Sequence, residues 1–320
     1  MKTVYLHIGM HKTATTAIQV CLRENATTLA ARGYMIPRAG VSGTTHNNIA
    51  FDIRNLPRFD AEKGGVDDLV DEVVSSDYEK FIVSAEALDY LTPEQIEELR
   101  KRLSSFEVRI IVFLRRQVEW LQSEWSELVK LRSCQEEFTQ WIRRVASNDR
   151  RLHYFGFLEE WSEVFGKDDL RVRVYEKDRH REKNVFFDFL EACGVDGDVD
   201  WVLAPRVNVS PSIKTLEVIR SYVRHFSDVL KENRLLYRCK RIVEYGDLQG
   251  WNDTALHLID RELFTSIHAM FKATNDRVAN AYLNKEELFA SDFEDRPITE
   301  FHVADMDTEE LLRLFAYLES

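Results

Sequence analysis

Glycine and proline are scarce in this 320-residue chain, at 12 and 6 residues, and cysteine occurs only 4 times. So little glycine and proline excludes collagen-like and low-complexity chains. Cys21, Cys134, Cys193 and Cys239 lie far apart, with no Cys-x-x-Cys and no histidine at zinc spacing. Neither a disulfide framework nor a structural metal site is expected, and the thiols should be reduced and mostly packed. Long hydrophobic runs are missing too. The best stretches, Ile110 to Leu114 and Phe186-Phe187, stop at charge far short of the roughly 18 residues a membrane span needs. After Lys2 the apolar stretch Val4 to Ile8 is interrupted by His7 and ends at Gly9, too short for a signal core and without a small-residue cleavage site. The cytosol is the expected compartment, so the Asn-x-Ser/Thr triplets at Asn25, Asn208 and Asn252 carry no weight as glycan sites. Basic residues are outnumbered, 43 Lys and Arg against 55 Asp and Glu, for a net charge of −12. That balance argues against a surface that coats nucleic acid or anionic membrane, while leaving room for one focused anion site. Residues 100–183 carry 19 Lys and Arg against 15 Asp and Glu, a local +4 that leaves −16 for the rest.

With 44% apolar and 31% charged residues, the chain has ample material for a soluble core, and its length suits one large or two ordinary domains. Strand patterns at Thr3 to His7, Phe81 to Ser84, Val108 to Leu114 and Leu170 to Tyr175 are separated by helical patterns. Helices are predicted over 15–31, 66–76, 92–103, 117–132, 136–147, 154–165, 184–193, 211–230, 255–272, 276–289 and 307–319. Thr92-Pro93-Glu94-Gln95 supplies an N-cap, a first-turn proline and a capping box. Residues 34–65, with Pro37, Gly40, Gly43, Pro57 and Gly64-Gly65, read as irregular loop rather than core element. Strands alternating with helices argue for an α/β architecture, a parallel sheet flanked by helices, here one domain over 1–320 with 205–320 a mainly helical addition. Ligands bind such sheets outside the carboxyl ends of the strands.

The turn after the first strand, Gly9-Met10-His11-Lys12-Thr13-Ala14-Thr15-Thr16, delivers backbone N–H groups into a helix start beside a lysine and three hydroxyls, which makes an anion site. Aligned at Gly9 with the nucleotide-triphosphatase loop Gly-x-x-x-x-Gly-Lys-Ser/Thr, the second glycine is Ala14, the lysine is Thr15, and the cation stands three places early, at Lys12. The phosphate clamp and magnesium logic of a kinase or ATPase are not reproduced.

Leu6 to Thr16 resembles instead the phosphosulfate-binding loop of sulfotransferases that use 3′-phosphoadenosine 5′-phosphosulfate, where Pro-Lys-Ser/Thr-Gly-Thr-Thr is usual. A second signature of that family is an arginine at the end of a buried strand with a serine eight residues on. Here these are Arg115, in Val112-Phe113-Leu114-Arg115-Arg116-Gln117, and Ser123, in Trp120-Leu121-Gln122-Ser123-Glu124-Trp125. Tyr154 to Gly166 with Leu170 to Lys177, Asn208-Val209-Ser210, and Asn275 to Leu283 also look like bacterial members. The resemblance implies a P-loop-like fold and transfer of a sulfuryl group from this co-substrate to a hydroxyl, of a small molecule or glycan precursor, with no metal required. It assigns Lys12 to the leaving phosphate, Thr13, Ala14, Thr15 and Thr16 to the 5′-phosphosulfate, and Arg115 with Ser123 to the 3′-phosphate. Three departures stand out. Ala14 replaces the usual glycine and costs about 1 kcal/mol if that position needs φ > 0. His11 replaces the usual proline, and Arg116-Gln117 stand where many members have Asp-Pro.

The family takes its base, His or Glu, from the region between the loop helix and the third strand, where His46 and Glu86 are the candidates. A loop imidazole accepts a hydroxyl proton near neutrality without tuning, whereas Glu86 would need its pKa raised by burial, so His46 is preferred. His7 inside strand one, and Trp120 and Trp125 at helical spacing, read as packing residues. Asn208 and Ser210 are equally a turn or a ligand contact. Two other functions compete: a non-catalytic nucleotide or anion binder with a decayed loop, and a phosphotransferase with an altered one.

Overall fold

The computed structural model describes residues 1–176, 184–196, 199–204, 211–253, 256–290, 292–293 and 297–320. The expected strands form, with one addition. β1 (Thr3–His7), β2 (Tyr34–Met35), β3 (Lys80–Ser84), β4 (Glu107–Arg115) and β5 (Leu170–Tyr175) make a parallel sheet in the order β2-β3-β1-β4-β5. Successive strand residues point to opposite faces. Val4 and Leu6, Phe81 and Val83, and Val108, Ile110, Val112 and Leu114 therefore join one buried cluster, while Ile82, Ile111 and Phe113 join another. Helices cover both clusters, as a sheet of near-continuous apolar strands demands.

The first cluster is closed by α3 (Asn47–Ile53), α4 (Val66–Ser75), α5 (Pro93–Arg102) and α8 (Tyr154–Phe165). The second is closed by α1 (Thr15–Glu24), α2 (Ala26–Ala30) and α9 (Val185–Ala192). The capping box of α5 forms as its sequence requires, Thr92 Oγ1 accepting from the Gln95 N–H at 3.4 Å and Gln95 Oε1 from the Thr92 N–H at 3.1 Å. The chain divides into two compact units. One comprises residues 1–116, 150–207 and 271–290 and holds the sheet; the other comprises 117–149, 208–270 and 291–320. Helices build the second: α6 (Gln117–Lys130), α7 (Phe138–Val145), α10 (Ile213–Phe226), α11 (Glu232–Leu248) and α13 (Thr308–Glu319), with Trp120 and Trp125 fully buried as expected.

Four expectations need correction. The helix predicted over 15–31 breaks at Asn25, whose buried side chain bonds Cys21 O and both backbone groups of Val202 instead of facing solvent. Residues 34–65 are not all loop: β2 and α3 lie within them, and Ile49, Ala50 and Ile53 are core residues whose helical spacing the flanking glycines and prolines concealed. The helices predicted at 255–272 and 276–289 are replaced by α12 (Arg261–Val278), which runs through the predicted break. Finally, α11 fills a stretch where no helix was predicted; Leu235, Cys239, Ile242 and Gly246 form its buried stripe amid dense charge. All four cysteines are buried and none is in a disulfide. Among the described residues no helix is long and apolar enough to cross a membrane.

Candidate anion site at the end of the first strand

β1 lies in the middle of the sheet, so the loop after it emerges between the carboxyl ends of β3 and β4. Its first residues stay pinned there: Ile8 N–H donates to Ile111 O (3.1 Å), Phe113 N–H to Gly9 O (3.3 Å) and Ala85 N–H to His7 O (2.9 Å). Gly9 has φ +90°, and a Cβ on it would meet Glu86 Cα at 3.0 Å. Only glycine fits between strand and turn at that point. Thr13, fully buried, closes the loop by donating from Oγ1 to Met10 O at 2.6 Å.

Two loop residues that are not glycine adopt left-handed backbone, Lys12 at φ 66° and Ala14 at φ 60°. Ala14 is the N-cap of α1, and no side chain caps this helix start, nor does an acidic residue occupy its first turn. Helix geometry leaves the first N–H groups without intrahelical partners, so an anion is the complement this terminus lacks. Thr15 is buried and Thr16 exposed at this same end.

The 3₁₀ turn Glu86–Tyr90 follows β3 directly. In such a turn residues three apart eclipse, which puts Glu86 and Asp89 on one side. Both carboxylates reach the loop. Glu86 Oε2 accepts from Thr15 Oγ1, and Asp89 Oδ2 accepts from the His11 backbone N–H at 3.1 Å and meets His11 Nδ1 at 2.6 Å. Asp89 is completely buried. Burial disfavours the charged imidazole of His11, but the charge and hydrogen bond of Asp89, with Glu86 nearby, outweigh it, and the net shift of its pKa is upward. The sequence flagged His11 only as a departure from proline; nothing in Glu86-Ala87-Leu88-Asp89-Tyr90 marked Asp89 as its partner.

Arg115 ends β4 and returns to the loop: Nη1 donates to Lys12 O at 2.9 Å. Its guanidinium lies 5.4 Å from the ring of Tyr175, the residue paired with it on β5, and Tyr154 Oη donates to Arg115 O at 2.5 Å. Ser123 stands in the second turn of α6, in the other unit, half-buried. Lys177 and Asn208 to Ser210 lie outside the described residues.

His46 immediately precedes α3 and is almost wholly buried. Its Nδ1 accepts from the Ser84 N–H at 3.2 Å, so Nε2 carries the proton and donates to Pro37 O at 2.9 Å. Burial pushes its pKa down, and the two backbone bonds only partly oppose this. Beside it a cavity of about 150 Å³ is lined by α1 (Gln19, Leu22, Arg23) and by Ile36, Val41 and Thr44. Gln19 Oε1 is buried with no hydrogen-bond partner among the described residues. His7 points into the core with Phe113 and Phe189 edge-on to it and Nδ1 2.8 Å from Ser84 Oγ, a packing role. A further cavity, about 410 Å³, opens at the amino ends of β1, β4 and β5; Arg109 is paired there with Glu107 and Asp169, and Arg173 with Glu191.

No family model matches the chain. A protein of Archaeoglobus fulgidus described only as uncharacterized is 29% identical over 138 residues, 43% of this chain and 36% of its own length, so this chain spans little more than a third of that relative. A solved structure described as a sulfotransferase from Alicyclobacillus acidocaldarius aligns over 74% of this chain and 96% of its own, at 14% identity and a TM-score of 0.45. The functional reading rests on the residues of this chain.

Proposed function

We propose that the chain is a sulfotransferase that moves a sulfuryl group from 3′-phosphoadenosine 5′-phosphosulfate to an acceptor hydroxyl. One observation carries the reading: Arg115 and the Lys12 loop, two motifs 103 residues apart that the sequence offered separately, are joined by the 2.9 Å bond to Lys12 O. An anionic co-substrate with phosphates at both ends of its nucleoside suits a loop with an uncapped helix start and a guanidinium at its edge. Lys12 and the N–H groups of Thr15 and Thr16 are assigned to the 5′-phosphosulfate, with Thr13 and Ala14 shaping the loop around it. Arg115 is assigned to the 3′-phosphate, and Ser123 joins it on the sequence resemblance alone.

In the step proposed, the acceptor oxygen attacks sulfur in line, its proton passes to a carboxylate, and the bond from sulfur to the phosphate oxygen breaks. The electron pair leaves with 3′-phosphoadenosine 5′-phosphate, whose growing negative charge Lys12 neutralises. Glu86 is the better base. Its carboxylate contacts the loop through Thr15, whereas both ring nitrogens of His46 are engaged by backbone. This proposal inverts the preference drawn from sequence, because Pro37 O and the Ser84 N–H hold the imidazole in the core. The cavity beside His46 holds about five waters at roughly 30 Å³ each, so it suits one end of an acceptor and not a polymer. The acceptor is proposed as a small polyol, a carbohydrate or glycan precursor, and the site of action as the cytosol.

Incubation with ³⁵S-labelled co-substrate and a panel of sugars tests this. Transfer that falls at least a hundredfold in Lys12→Ala supports it; binding without transfer to any hydroxyl compound supports the nucleotide-binder alternative, which the strained Ala14 favours. Preference for ATP with magnesium would indicate a phosphotransferase.

A further inference from the structure

The loop carries a second cationic group that the sulfotransferase signature does not include. His11 is held twice by one carboxylate oxygen, through its backbone N–H and through ring Nδ1, and that carboxylate is completely buried. A buried carboxylate is costly unless matched by a proton or a cation, so Asp89 stabilises the imidazolium form of its partner. Tyr90 packs edge-on against the ring at 5.1 Å between centroids, fixing its plane. The imidazole stays 21% exposed, on the residue next to Lys12 in sequence, and its neighbour Glu86 bonds Thr15 in the first turn of α1. With Nδ1 turned to Asp89, the Nε2–H group lies on the opposite edge of the ring.

Resting on the sulfotransferase reading of the same loop, we propose that His11, held as an imidazolium by Asp89, is a second charged donor to the phosphosulfate end of the co-substrate, acting beside Lys12. Proline at this position supplies neither a charge nor a side-chain donor. An imidazolium there compensates for Ala14, whose left-handed backbone strains the loop at the position where the signature has glycine. Charged groups that face His11 include Asp89 and Glu86 from the 3₁₀ turn and Arg151 from the segment before α8; Arg54 and Arg151 also stack on Tyr90. The carboxylates hold the proton on the ring and Arg151 opposes them.

Calorimetric titration of the full-length protein with 3′-phosphoadenosine 5′-phosphate between pH 7 and 9.5, above the phosphate pKa of about 6, tests the proposal. In the wild type, affinity should fall as pH rises through the His11 pKa, by up to tenfold per pH unit. His11→Gln should bind about tenfold more weakly at pH 7 and lose that fall, and Asp89→Asn should move the fall to lower pH. Should Asp89→Asn fail to fold, imidazole NMR of the wild type decides: the ligand must raise the His11 pKa, a response that a merely structural imidazole would not give. Binding that is tight in wild type and His11→Gln alike, with the same pH profile, overturns the role of His11 and leaves the sulfotransferase reading standing. No binding by the wild type at any pH overturns both.

Discussion

Acidification should destabilise this protein through His7, well above the pH at which its carboxylates titrate. His7 is completely buried beneath Phe113 and Phe189, its Nε2 has no hydrogen-bond partner among the described residues, and burial lowers its pKa from 6.5 to about 3. The unfolded chain takes up a proton below pH 6.5 that the folded chain refuses until about pH 3. The stability this neutral histidine confers is thus complete above 6.5 and lost as pH falls towards the folded value. At about 1.36 kcal/mol per unit, the loss is roughly 2 kcal/mol between pH 7 and pH 5 and roughly 4 kcal/mol by pH 3. His46, whose pKa is also lowered by burial, acts in the same direction; His11, whose pKa is raised, contributes stability that is present at low pH and lost as pH rises. His7→Phe isolates the first of these, because the ring stays apolar and any packing cost is common to both pH values. Urea unfolding at pH 7 and pH 5 should give a loss smaller by about 2 kcal/mol in the variant than in the wild type. Equal losses in the two proteins, or an NMR titration of His7 near 6.5, would refute the reasoning.

Two further outcomes follow from the loop and its neighbours. Ala14→Gly removes left-handed strain of about 1–2 kcal/mol and gives back about 0.4–1 kcal/mol of unfolded-chain entropy, so urea unfolding should show a net gain of about 1 kcal/mol or less; a clear destabilisation would mean that the Cβ packs more than it strains. Glu86→Gln should lower turnover by about 10²–10⁴-fold with nucleotide affinity little changed, while His46→Gln should act on stability, by about 1–3 kcal/mol, before it acts on rate. Kinetics and urea unfolding on both variants would show the reverse if His46 is the base.

What the sequence disclosed, and what it hid, divides by the range of the interactions. Uninterrupted runs such as Val108 to Leu114 announced buried strands because both faces of a central parallel strand must be apolar, and Thr92 to Gln95 announced a helix start because the cap is made by its own neighbours. Asn25 was hidden for the opposite reason, since Val202, the partner that helps break its helix, comes from far along the chain, and α11 was hidden because its buried stripe lies amid dense charge. The loop lysine and the strand-end arginine were legible as motifs, but their meeting at Lys12 O was not. His11 and Asp89, 78 residues apart, carried no shared signal at all. The same distance effect underlies the proposed preference for Glu86 over His46, since Pro37 and Ser84 engage the His46 ring from outside its own tripeptide.

The central claim is that the loop and Arg115 together bind the nucleotide of sulfuryl transfer, and calorimetry with 3′-phosphoadenosine 5′-phosphate in the presence of a metal chelator tests it most directly. The wild type should bind with submicromolar affinity, and Arg115→Ala should bind about 10–100-fold more weakly, the equivalent of about 1.5–3 kcal/mol for charge-assisted hydrogen bonds. No binding without magnesium, or equal affinity in the two proteins, would contradict it.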